Sequence, residues 1–174
     1  MKINKLAILL PLLLLVLPGC DNSGTDATRD YDNYNDHDIA FDDFYKKDGR
    51  YGVYVFGTYC SHCTDIKNSI FDYEDSLNKG EDRGLDNLYL LEFSKFGSTD
   101  GTYQRNLFKN KPSDFNSSDE ASVTKLVNEM IDGKASTLSE TYFMYTPAIY
   151  IVENNYLVDF IGGSAKVPEY LSSH

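Results

Sequence analysis

The segment YGVYVF, residues 51–56, is built almost wholly of aromatic and β-branched residues and lacks the polar alternation of a half-exposed strand. Such a run fits a strand covered on both faces, and the turn signal Asp48-Gly49 stands before it. The residues after it narrow the fold further. Ile66, Ile70, Tyr73 and Leu77 fall on one face of a helix, with Gly80 as a stop. LYLLEF, residues 88–93, is a second apolar run of strand length. Strand, helix, strand in that order predicts a right-handed parallel crossover, and so an α/β chain. At the joint between the first strand and the helix stand Cys60, Ser61, His62 and Cys63.

The rest of the domain reads more unevenly. HDIAFDDFYKK, residues 37–47, places Ile39, Ala40, Phe44 and Tyr45 at helical spacing and predicts a short helix. Residues 94–116 scatter Gly, Asn, Lys and aromatics, as loops or short helices do. SSDEASVTKLVNEMIDGK has serines and acids at its start, an apolar face of Val123, Leu126, Val127, Met130 and Ile131, and Gly133 at its end. It predicts an amphipathic helix. In TPAIYIVENNYLVDFIGG two apolar runs, 148–152 and 156–161, flank Asn154 and Asn155, which predicts an antiparallel hairpin. KVPEYL then allows a closing helix with Pro168 in its first turn. No internal repeat and no dinucleotide-type glycine loop is present.

The beginning of the chain reads as an export signal, with Lys2 and Lys5 ahead of an apolar stretch from Leu6 to Leu17. A bilayer span takes about 20 apolar residues, so this stretch is short for a permanent crossing. LVLPGC resembles the lipobox of bacterial lipoproteins, with Leu17 three places before Cys20 and Gly19 next to it, although Pro18 stands where a small residue is usual. The resemblance implies a signal peptide over residues 1–19, lipidation of Cys20, and a protein held at the extracytoplasmic face of the bacterial cell membrane. The sequence has three cysteines. With lipid on Cys20, Cys60 and Cys63 are the remaining thiols, and no disulfide framework is possible.

Loss of Lys2 and Lys5 would take the formal net charge from −11 to −13, which argues against a basic nucleic-acid surface. Much of the acidity lies in residues 21–38, which lack apolar periodicity. Residues 20–38 are expected as a flexible acidic tether, and residues 39–174 as the folded domain.

Taken together, strand, Cys60-Ser61-His62-Cys63, helix, strand, helix, Thr146-Pro147, hairpin, Gly162-Gly163 and last helix resemble the thioredoxin superfamily over roughly residues 39–171. The resemblance implies an α/β thioredoxin-like fold, a mixed central sheet flanked by helices, with the helix around residues 123–131 as an insertion before a cis-proline. It implies that Pro147 is cis and faces the cysteines, and that Thr146 offers backbone hydrogen bonds to a bound polypeptide. Tyr59 stands where thioredoxins usually carry Trp, at the substrate-binding surface. Tyr54 stands where they carry a buried acid behind the second cysteine, so proton transfer must use another group or water.

A thiol attacks a disulfide only as thiolate, and a free cysteine, with pKa about 8.5, is mostly protonated at neutral pH. A helix N-terminus presents unpaired N–H groups, and His62 can add a hydrogen bond or a positive charge; both favour the anion on Cys60. Cys60 is therefore the expected nucleophile and Cys63 the resolving thiol. The expected activity is thiol–disulfide exchange on exported proteins that carry thiols or disulfides, with a membrane redox partner and no cofactor. Two other readings stand beside it. The same thiolates suit a soft metal such as copper(I), whereas structural zinc wants four ligands and only His37 and His174 remain. A surface lipoprotein that binds partners through an inactive domain is the third.

Overall fold

The computed structural model describes residues 30–93 and 106–174. The expected signal segment and Cys20 lie outside the described residues. The predicted strands form: β1 (Arg50–Phe56), β2 (Asn87–Glu92), β3 (Ala148–Glu153) and β4 (Tyr156–Gly162). They make one mixed sheet in the order β2-β1-β3-β4. β1 and β2 are parallel, β1 and β3 antiparallel with Val55 opposite Ala148, and β3 and β4 antiparallel. The hairpin turns on Asn154 and Asn155, with φ of 52° and 67°. Two successive left-handed residues are what a two-residue hairpin of matching twist demands, and Asn tolerates that region best after Gly.

Both faces of the sheet are covered, as the unalternating runs required. On one face Tyr51, Val53 and Val55 of β1 and Ala148, Tyr150 and Val152 of β3 pack with Leu126, Met130, Phe44 and Phe108. On the other, Tyr54, Phe56, Ile149 and Ile151 pack with Cys63, Ile66, Ile70, Phe71, Val167 and Leu171. Gly52 falls on this second face, where a Cβ would lie 2.8 Å from Leu88 Cδ1. A glycine in mid-strand lets β2 and the loop before it close down.

Among the described residues four α-helices carry these contacts: α1 (Ser61–Asp65), α2 (Lys67–Asn78), α3 (Glu120–Asp132) and α4 (Lys166–Ser173). The single predicted helix after Cys63 is thus two, joined at Ile66, whose backbone leaves the helical region (φ −99°, ψ 2°). Gly80 ends α2 with φ 78°, its N–H donating to Leu77 O while Glu81 N–H reaches back to Ser76 O. This is the left-handed glycine stop read from the sequence. α3 is capped by Asp119, whose carboxylate accepts from the N–H groups of Ala121 and Ser122. Gly133 follows it in an ordinary conformation, and Lys134, at φ 51°, takes the left-handed position instead. The helix expected as an insertion stands before Pro147 and closes the first face of the sheet, burying Leu126 and Met130. A mixed sheet flanked by helices in this order is the thioredoxin-like architecture that the resemblance implied.

The structure corrects one expectation at the start of the domain. Residues 37–47 do not form a helix: Asp38 bridges in parallel to Leu90, and Ile39 N–H donates to Leu90 O at 3.0 Å. The outer edge of β2 needs backbone partners, and a helix here could not supply them. Only two 3₁₀ segments form in this region, Tyr31–His37 and Phe41–Asp43. Ile39, Phe44 and Tyr45 are buried as the spacing predicted, but Ala40 is exposed. Within residues 30–38, expected as part of the tether, Tyr31, Tyr34 and His37 meet side chains of the domain. Tyr34 stacks on Phe71 with ring centroids 3.9 Å apart, and His37 Nδ1 lies 2.5 Å from Oε1 of the buried Glu74.

Candidate active site

β1 and β2 run parallel and end together at Phe56 and Glu92, with Phe93 N–H donating to Phe56 O at 2.8 Å. The chain leaves this end of the sheet through Gly57, and Cys60 N–H donates back to Gly57 O at 3.1 Å. Cys60 is extended (φ −90°, ψ 100°) and caps α1; its sulfur accepts from Cys63 N–H at 3.2 Å, and its carbonyl from Cys63 N–H and Thr64 N–H. Cys60 and Cys63 are joined in a disulfide with their Cα atoms 5.2 Å apart. Cys60 is partly exposed, whereas Cys63 retains 1% of its accessibility. The pair therefore has one partly exposed cysteine and one enclosed by the core.

The sequence-predicted companions fall around the pair to differing degrees. The Thr146–Pro147 peptide bond is cis. Because Val55 pairs with Ala148, continuing that antiparallel register brings Thr146 and Pro147 beside the residues that lead into Cys60. Gly57 measures the approach: a Cβ there would sit 3.7 Å from Cys60 Cβ and 4.0 Å from Thr146 Oγ1. Pro147 O accepts from Gly163 N–H at 2.9 Å, so the Gly162-Gly163 pair holds the loop from its other side. Tyr59 is fully exposed next to Cys60, a bare aromatic ring at the entrance. His62 is exposed as well, and its Nδ1 lies 3.8 Å from Asp65 Oδ2, along the helix surface.

Behind the pair, Tyr54 is wholly buried, and its hydroxyl lies 3.1 Å from the hydroxyl of Tyr31. Tyr31 donates in turn to Cys63 O at 2.9 Å. Burial pushes the Tyr31 phenol up to about 12, and burial with the neighbouring Tyr31 pushes Tyr54 up further still. Both stay protonated near neutral pH, so Tyr54 cannot accept a proton as a carboxylate would. A carboxylate is close by. Glu92, the last residue of β2, is buried and accepts a hydrogen bond from Thr58 Oγ1. With Thr58, Thr64, Lys67 and Tyr31 it lines a cavity of about 320 Å³ against α1 and α2.

Sequence reasoning missed Tyr31 and Glu92. Glu92 had a signal, as the one charge within the apolar run LYLLEF. Tyr31 had none, because it sits in an aperiodic acidic stretch. Among the described residues no three His, Cys, Asp or Glu side chains gather as a metal site would require. His37 faces Glu74, and the His174 ring stacks on Tyr170.

No protein-family model matches the chain, and no curated protein matches it by sequence. Nine chains of solved structures match it, among them the thioredoxin of Malassezia sympodialis, at 11% identity over 84% of this chain and 86% of that one, with a TM-score of 0.36.

Proposed function

We propose that this chain is a thiol–disulfide oxidoreductase, held by lipid on Cys20 at the extracytoplasmic face of a bacterial membrane and acting on exported proteins. One observation carries the reading: a disulfide-joined Cys60–Cys63 pair, one member reachable and the other buried, set at the end of β1 beside the cis Thr146–Pro147 bond. A structural staple has no need of an accessible sulfur at the sheet end where α/β folds place their chemistry.

The exchange is balanced in both directions. When the reduced pair meets a client disulfide, the Cys60 thiolate attacks one client sulfur, forms a mixed disulfide and expels the other client sulfur as thiolate. The Cys63 thiolate then attacks Cys60 Sγ, the Cys60–client bond breaks, and the second client thiolate leaves. The client gains two electrons and the pair becomes the disulfide. In the oxidising direction a client thiolate attacks Cys60 Sγ and the same steps run backward, so a membrane redox partner resets the pair after each turn. Cys60 is the nucleophile because it caps the helix and is reachable; Cys63 resolves because it is one turn on and enclosed. Tyr59 and the backbone of Thr146 supply the surface for a client segment, Pro147 shapes the groove between them, and His62 stabilises the Cys60 thiolate from the helix surface.

The deciding experiment is a trap. Cys63→Ser should accumulate mixed disulfides with exported proteins through Cys60, and Cys60→Ser should not, because only the neighbouring thiol clears the intermediate quickly. Non-reducing gels of membranes from the two variants show the adducts, and mass spectrometry names the partners. Identical gels without adducts would end this reading in favour of a two-thiolate copper site or an inactive pair.

A further inference from the structure

The segment that leads into the domain does more than connect it. Tyr31 stands eleven positions after Cys20, yet its ring lies face to face with Phe56 at 4.0 Å and edge-on to Phe71 at 5.2 Å. This puts its hydroxyl between Tyr54 and the redox helix. The hydrogens have one consistent order: Tyr54 O–H donates to Tyr31 O, and Tyr31 O–H donates to the carbonyl of Cys63. Burial keeps both phenols protonated, so the order persists across physiological pH. A hydrogen bond to the backbone of the enclosed cysteine bears on the one residue whose position sets whether the two sulfurs can close.

We propose that Tyr31 is a positioning residue of the Cys60–Cys63 pair, holding the Cys63 backbone where the disulfide forms, so that this one residue ahead of the first strand belongs to the redox centre. The inference rests on the thiol–disulfide exchange reading and names a control within that same site. Its direction comes from sterics. Cleaving the Cys60–Cys63 bond leaves two sulfurs that crowd each other, so the cysteines part on reduction, whereas the Tyr31 bond is made to the Cys63 backbone as it stands in the disulfide form. A carbonyl pinned in the disulfide form resists that displacement, and the pin therefore favours the disulfide.

The test reads the equilibrium of the pair with glutathione: one protein disulfide and two glutathione thiols give one protein dithiol and one glutathione disulfide. Differential alkylation of the full chain, read by mass on the peptide carrying Cys60 and Cys63, keeps Cys20 out of the measurement. Tyr31→Phe keeps both ring contacts and removes only the hydroxyl. It should shift the equilibrium toward the dithiol by about fivefold, the effect of one hydrogen bond of ordinary net strength present in one state and lost in the other. Tyr54→Phe leaves the bond to Cys63 in place but removes its support, and should shift the equilibrium the same way by less. Tyr34→Phe is the control on the same segment, since its ring stacks on Phe71 and its hydroxyl reaches Asp75 Oδ1 at 3.4 Å. It should leave the equilibrium within twofold of wild type. An unchanged equilibrium in Tyr31→Phe overturns the proposal, as does an equal shift in Tyr34→Phe, which would make docking of the segment the cause. No client takes part, so a missing mixed disulfide in Cys63→Ser would sink the oxidoreductase reading while leaving this equilibrium defined.

Discussion

If α3 closes one face of the sheet, truncating its most enclosed residue must destabilise the whole domain. Leu126 keeps 1% of its accessibility and, with Met130, provides the buried face of the helix against the β1 and β3 side chains. Leu126→Ala removes three carbons. At about 0.8 kcal/mol per buried methylene the transfer loss is about 2.4 kcal/mol, and the cavity left behind brings the cost to about 3–4 kcal/mol. With a urea slope of about 2 kcal/mol per M, the unfolding midpoint should fall by about 1.5–2 M. Val127 is only partly buried, and Val127→Ala should move the midpoint by less than about 0.5 M. The assay is urea unfolding of the oxidised proteins, followed in parallel by far-ultraviolet circular dichroism and tyrosine fluorescence. Coincident transitions are required, because a helix that shares the core unfolds with it. A shift under about 0.5 M for Leu126→Ala, or an early separate loss of helix while tyrosine fluorescence stays native, would refute the placement of α3 in the core.

Two further outcomes bear on the site. Pro147→Ala should lose at least about tenfold in turnover of a protein disulfide while exchange with small thiols changes little, as the proposed groove role of Pro147 requires; equal losses with both partners would contradict that role. In a Cys63→Ser background, His62→Ala should slow iodoacetamide alkylation of Cys60 by about threefold between pH 6 and 7, since removing a donor or positive charge disfavours the thiolate. An unchanged rate would remove the exposed His62 ring from the control of Cys60.

Much of the architecture was legible because it is local. A strand covered on both faces shows as an unalternating apolar run, and β1 and β3 bury nearly every side chain they carry. The Asn154-Asn155 turn and the Gly80 stop announced themselves through residue types suited to left-handed backbone. The position of the cysteines at a strand-to-helix joint could be read from the two patterns that flank them. Residues 37–47 failed because their spacing suits a helix and the burial of Ile39, Phe44 and Tyr45 agrees with it, while the unpaired edge of β2 decided the backbone. No window of sequence contains that edge. Tyr31 and Tyr34 failed for a related reason: each is a lone aromatic among acids, and its meaning lies in Phe56 and Phe71, far along the chain. The location of His62 near the pair could be read, but not the direction of its ring.

The site draws its parts from separated stretches of chain, and Phe56 shows how they are held to one another. Its backbone ends β1 opposite Glu92 and accepts Phe93 N–H, which fixes the buried carboxylate at the same level of the sheet as the exit toward Cys60. Its ring faces Tyr31, and through Tyr31 it reaches the Cys63 carbonyl. A Cβ on the residue after it, Gly57, would stand within van der Waals reach of Cys60 and Thr146. A strand end is a firm place for such a junction, since its hydrogen bonds to β2 and β3 fix position and direction together. The pieces that remain adjustable are then side chains and the N-terminal segment, not the sheet. On the proposed reading, exchange of a client at Cys60 would leave the sheet unmoved, and a response to the redox state would be carried by the Tyr31–Cys63 contact.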